Sequence, residues 1–178
     1  MATTTWNFDA SHSHVGFKVR HLMITNVKGE FSKCTASVTT EDDQFDSANI
    51  KFSAEVASIT TGSEQRDGHL KGAEFFDADQ FPTIEFESNG MTKTGKSTYT
   101  INGNLTIKGV TKTVEVNALA SELVKDPWGQ IKIGFELTAI INRGDYGLVW
   151  NAPLEAGGML LSDDVYVNAE VQFVKVVN

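Results

Sequence analysis

The sequence predicts an all-β protein: an eight-stranded antiparallel β-barrel with one short helical segment at about residues 63–72. Three observations predict it. Apolar residues return at every second position in about eight separate runs, the pattern of strands with one buried face. Turn residues such as Lys108-Gly109 and Asp126-Pro127-Trp128-Gly129 separate neighbouring runs, which favours hairpins and antiparallel pairing. The alternation stops between Thr60 and Pro82, where Ser63 is placed as the N-cap of the one expected helix, running to about Gly72. Strands in this number favour closure, because a closed barrel has no bare edges and its interior can hold one small ligand. A two-sheet sandwich is the alternative the same pattern allows.

The opening strand is read from Ser11 to Leu22. It places Val15, Phe17, Val19 and His21 on one face and His14, Gly16, Lys18 and Arg20 on the other. The apolar row ends in an imidazole. Val27 to Thr40 reads as the second strand, and Ile50, Phe52, Ala54 and Val56 share a face of the third. After the helical interruption, Ile84 and Phe86 mark the fourth strand. Thr98 to Ile107 is the fifth, Val114, Val116 and Ala118 the sixth. Ile131, Ile133, Phe135, Leu137, Ala139 and Ile141 make the longest clean stripe, and Arg143 follows on the same side. Here too a hydrocarbon row ends in a polar group. Val165, Val167, Ala169, Val171 and Phe173 complete the set.

At 178 residues the chain fits one domain, 1–178, with a single substantial core. Apolar residues at 40% and charged residues at 21% are ordinary for a globular protein. A net charge of −8 argues against a nucleic-acid partner, which needs a basic surface, and leaves room for a local basic site for one small anion. The lone Cys34 cannot close an intrachain disulfide. No stretch approaches the roughly 18 apolar residues of a spanning helix, so no membrane span is expected. MATTTWNFDA lacks the charged and apolar regions of a signal peptide, which points to the cytoplasm, or to the periplasm if a leader has been removed.

Several segments carry a family resemblance. Trp6 with the run Ser11 to Leu22, Arg66-Asp67-Gly68-His69-Leu70 leading into Phe75-Phe76-Asp77 and Phe81-Pro82, Gly103 to Thr111, and Ile141-Asn142-Arg143-Gly144-Asp145-Tyr146-Gly147 together resemble the YceI family of lipocalin-like polyisoprenoid-binding proteins. They occur in the family's order and span nearly the whole chain. The resemblance implies an extended eight-stranded lipocalin-like barrel, often a homodimer, enclosing a long amphipathic lipid such as a polyprenyl phosphate or an isoprenoid quinone.

The residues support such a ligand on their own terms. Val15, Phe17, Val19, Phe31, Phe86, Ile101, Leu105, Phe135 and Leu137 are the candidate lining for its tail, although the same residues could fill a solid core. For the head group the candidates are His21 and Arg143, which end apolar rows, and Arg66 and His69, on the segment that interrupts the barrel. Arginine suits phosphate through its two-pronged hydrogen bonding, and histidine can donate at neutral pH. Each also has a structural role open to it: Arg143 could pair with Asp145 or Asp67, and His21 could simply end a strand. Asp67 and Asp145 are expected to orient these bases, since an anionic head would repel them.

No catalytic residue, metal or cofactor is expected. His12 and His14 share a strand face in this reading but lack a third ligand, and Glu85, Glu87, Asp163 and Asp164 read as solvent-facing acids. The alternatives are a lipid-modifying hydrolase or isomerase with His21 or His69 as base, and an interaction module with a packed core.

Overall fold

In the computed structural model, residues 2–152 and 160–177 are described. The strands are β1 (Thr3–Phe8), β2 (His14–His21), β3 (Thr25–Phe31), β4 (Cys34–Glu41), β5 (Gln44–Glu55), β6 (Ile59–Thr60), β7 (Thr83–Lys93), β8 (Thr98–Ile107), β9 (Val110–Ala120), β10 (Val124–Lys125), β11 (Ile131–Asn142) and β12 (Leu161–Lys175); α1 (Glu64–Lys71) is the helix. The ring runs β1-β4-β5-β7-β8-β9-β11-β12 and closes where β12 returns to β1, so it is an eight-stranded antiparallel barrel. β2, β3 and β6 continue β1, β4 and β5 beyond breaks, pairing β12 with β2, β2 with β3 and β3 with β6.

Those breaks lie side by side across three adjacent walls. The first corrects the sequence reading: residues Ala10–His12 form a 3-10 turn, and the strand begins at His14 rather than Ser11. Asp9 is the cause. Its Oδ1 accepts from the Ser11 amide at 3.2 Å and the Ser11 hydroxyl at 2.7 Å, an alternative to the ladder that short polar residues offer the backbone. These hydrogen bonds, with His12 beside it, hold the Asp9 carboxyl below its ordinary value. The strand expected over Val27 to Thr40 is likewise broken at Ser32 and Lys33. There the Ser32 amide donates to Ser58 O and the Lys33 amide to Ser58 Oγ. Thr3–Phe8 is a strand the alternation did not reveal, because Trp6 is the one buried side chain among polar neighbours.

The helix forms where Ser63 predicts it, its hydroxyl accepting from the Arg66 amide at 3.3 Å. The Lys108-Gly109 turn between β8 and β9 has positive φ at both residues, 51° and 76°, the backbone of a two-residue hairpin whose twist matches its strands. Trp6, 1% exposed, closes one end of the barrel. Its indole N–H donates to Thr40 Oγ1 at 3.0 Å, and its ring lies 4.9 Å from that of Phe45. The opposite end carries α1, the β2–β3 turn and the 3-10 turn Arg143–Tyr146.

Candidate ligand-binding site

Inward side chains of the barrel surround a cavity of about 700 Å³ rather than meeting at its axis. The lining runs down β12 from Leu161 to Phe173, a path of roughly 40 Å at about 3.3 Å per residue. Strand alternation is the reason: with one apolar face per strand and eight walls, the side chains coat the interior without filling it. The candidate tail residues all face this space: Val15, Phe17 and Val19 from β2, Phe31 from β3, Phe86 from β7, Ile101 and Leu105 from β8, Phe135 and Leu137 from β11. Phe17 and Phe31 lie 5.7 Å apart, and Phe31 meets Phe76 edge-on at 6.2 Å, so an aromatic row leads from the wall to the segment that follows α1.

His21, Arg66, His69 and Arg143 also border the cavity, but their hydrogen bonding separates them. Arg143 is 6% exposed; its Nε donates to Ser162 O at 2.8 Å, and its Nη1 donates to Leu148 O at 2.6 Å and Trp150 O at 2.9 Å. The alternative pairing with Asp145 or Asp67 is therefore corrected: the bonds Arg143 makes among the described residues go to backbone carbonyls. Burial lowers its pKa, and the Asp163 charge opposes that effect. Arg66 donates through Nε and Nη2 to Thr61 Oγ1 and O, each at 2.7 Å, and Asp67 accepts from the Thr61 amide and hydroxyl. Asp67 thus orients Arg66 through Thr61. His69 Nε2 meets Glu74 Oε2 at 2.6 Å, and its ring stands edge-on to Phe75 and Trp150. Among the described residues His21 makes no side-chain hydrogen bond.

One polar group was missed. Tyr146 lines the cavity, is 1% exposed, and its hydroxyl has no hydrogen-bond partner among the described residues. Burial, helped by the Asp145 charge, pushes its pKa up to about 12, so the hydroxyl remains a donor. The signal was present in Arg143-Gly144-Asp145-Tyr146, where one 3-10 turn buries both its first and its fourth residue. Trp150, also unforeseen, caps the same mouth against His69 and Phe75.

The other constellations resolve into local pairs. His12 and His14 do not share a strand face: His12 Nδ1 sits 2.8 Å from Asp9 Oδ2, and His14 Nε2 sits 2.6 Å from Glu30 Oε2. Glu85, Glu87, Asp163 and Asp164 are exposed. No helix among the described residues is long and apolar enough to cross a membrane.

The same architecture occurs in known proteins. UPF0312 protein SA2479 of Staphylococcus aureus (strain N315) is 36% identical over 173 residues, covering 96% of this chain and 97% of its own. The crystal structure of Burkholderia cenocepacia BcnA superposes with a TM-score of 0.81 at 21% identity, over 93% of this chain and 99% of that one. A polyisoprenoid binding domain from Saccharophagus degradans, implicated in plant cell wall breakdown, gives 0.70 at 14% identity, over 94% and 97%. At such identities these two structures speak to the fold alone. The profile of the YceI-like domain matches residues 6–173, from the tryptophan that closes the floor to the last cavity-lining phenylalanine, and the chain belongs to the YceI-like family.

Proposed function

We propose that the protein binds, carries or sequesters one long amphipathic lipid of isoprenoid type, without chemistry on it. The observation that carries this reading is the continuous apolar cavity along the whole inner face of the barrel. Burying a five-carbon prenyl unit contributes about 3 to 4 kcal/mol, so a few units offset an association cost on the order of 4 to 15 kcal/mol. A barrel of this fold occurs in a domain from Saccharophagus degradans that is described as polyisoprenoid-binding.

The head group, a phosphate or a quinone ring, lies at the mouth, where His21, the free edge of the Arg66 guanidinium and the Tyr146 hydroxyl can donate. Arg143 shapes this end by holding residues 148, 150 and 162 together.

Native mass spectrometry of the purified protein, followed by organic extraction, is the test. One prenyl lipid per chain, recovered chemically unchanged, is the expected result. Protein that is empty and also takes up no added prenyl alcohol or quinone overturns the reading, and a converted lipid would favour the enzymatic alternative. The same spectrum counts chains per particle and so tests the homodimer.

A further inference from the structure

The β2–β3 turn breaks two rules of surface design at once. Leu22, Met23 and Ile24 are 39%, 60% and 71% exposed, three large apolar side chains in succession. Leu22 and Met23 also hold φ of 54° and 62°, left-handed backbone that a hairpin normally assigns to Asn and Gly. Two side chains thus occupy a strained backbone and leave their hydrocarbon in water. Neighbouring groups keep the turn in place: the Ile24 amide donates to His21 O at 3.1 Å, the Leu22 amide to Leu160 O at 2.9 Å, and Arg20 Nη2 to Met23 O at 3.2 Å. Strain that the surroundings maintain points to a role for the residues that bear it.

The turn stands at the cavity mouth. His21 just before it, Val27 just after it, and Leu160 beside it all border the cavity. Val149, 70% exposed, adds a second apolar point next to Trp150 on the same rim. At the far end of the barrel the rings of Trp6 and Phe45, both buried, pack 4.9 Å apart.

We propose that Leu22, Met23 and Ile24 form a finger that inserts into the surface of a lipid bilayer and brings the mouth against it. The occupant follows from the continuity of the apolar tip with the cavity mouth. On the carrier reading, which this inference rests on, the cargo is a lipid whose source is a bilayer, and the finger borders the opening through which it passes. Arg20 and Lys18 of β2 and Lys28 of β3 stand against Glu30, with Asp163 and Asp164 of the adjacent β12 opposite Arg20, so the surface around the finger carries both signs. Arg20 lies at the base of the finger, placed to meet anionic head groups while the apolar tip lies below them.

The test measures sedimentation of the full chain with vesicles of phosphatidylethanolamine and phosphatidylglycerol. The variant is Leu22→Asn combined with Met23→Gly, the residues this turn prefers, so its denaturation midpoint is expected to equal or exceed that of the parent. Its vesicle partitioning should fall by roughly 100-fold, and Ile24→Ser alone should lower it by about tenfold. A Met23→Trp variant should show a blue-shifted emission on vesicles, quenched by brominated acyl chains. Unchanged sedimentation of the double variant, or no quenching, overturns the proposal, as does a parent chain that binds only a protein component of native membranes. Native mass spectrometry reads cargo separately: a loaded chain that ignores vesicles refutes the finger and spares the carrier reading, whereas a chain that cannot be loaded refutes the carrier reading itself.

Discussion

Phe17 of β2 lies directly across from Gly29 of β3, and its ring covers the space a side chain at position 29 would need. A Cβ there would collide with Phe17 Cζ and stand 2.8 Å from Cε1. The glycine leaves room for the aromatic ring to lie against the wall while it lines the cavity. Gly29→Ala should therefore push the ring inward, lowering stability by about 1–3 kcal/mol, as overpacking does, and reducing lipid retention. Urea denaturation and extracted-lipid yield check both; a variant with unchanged stability and cargo would show that the ring has room to move.

Arg143 is expected to matter more for the fold than for the ligand. Arg143→Met removes three donors to backbone carbonyls and should cost about 3 kcal/mol, or roughly 6–12 °C in Tm for a chain of this size. Arg143→Lys should rescue little, since a point charge cannot reach three carbonyls from one planar fork. Thermal melts of the two variants decide it.

Tyr146→Phe should leave the empty protein as stable as the parent or about 1 kcal/mol more so, because it deletes a buried hydroxyl that has no partner among the described residues. The same change should weaken lipid binding by about 2- to 10-fold if that hydroxyl holds the head group. A pH signature follows as well. With its folded pKa raised to about 12, the hydroxyl keeps its proton where the unfolded chain, at 10.0, loses it. Its contribution is complete below pH 10 and declines as the pH rises toward 12. The parent should thus lose stability over this window more steeply than Tyr146→Phe, which alkaline urea titrations would reveal.

Cys34 should be inert in the native protein. Burial pushes its thiol up to about 11 from 9.0, and its Sγ donates to Phe31 O at 3.4 Å. At pH 8 its thiolate fraction is about 100-fold below that of an unperturbed thiol. Alkylation should be slower by at least that factor until denaturant is added. Rapid labelling of the folded chain would contradict the assigned burial.

Ala169 distinguishes a cavity from a packed core. It is 7% exposed and faces the interior between Leu137 and Val15, its cross-strand partners. In a filled core, Ala169→Phe would cost about 1–3 kcal/mol. Within an open cavity the ring should be accommodated at little cost or stabilise the empty chain, and it should exclude a long tail. Denaturant midpoints together with native mass spectra check the two halves of this expectation.

Much of the wall was legible because alternation is local. A strand buried on one face must place hydrocarbon at every second residue, and the stripe from Ile131 to Ile141 shows this without any partner being known. The helix was legible through Ser63, and the β8–β9 hairpin through Lys108-Gly109. The strand around Trp6 was not: Trp6 and Phe8 alternate in Thr-Thr-Thr-Trp-Asn-Phe, but two inward rings after a run of threonines make too short a stripe to stand out. Nor were the three aligned breaks, since Asp9 and Ser58 end strands through bonds to the backbone that alternation does not record.

The sequence by itself determined an antiparallel all-β chain, the inward face of each main strand, and the polar residues that end two of those rows. Only the tertiary structure decided that the walls close around open space, that Arg143 turns to carbonyls instead of Asp67 or Asp145, and that the Tyr146 hydroxyl finds no partner among the described residues. The physical reason is that a strand's facing follows from its own period of two, whereas a cavity, and the partner each polar atom finds in it, depend on how far apart walls distant in sequence are held.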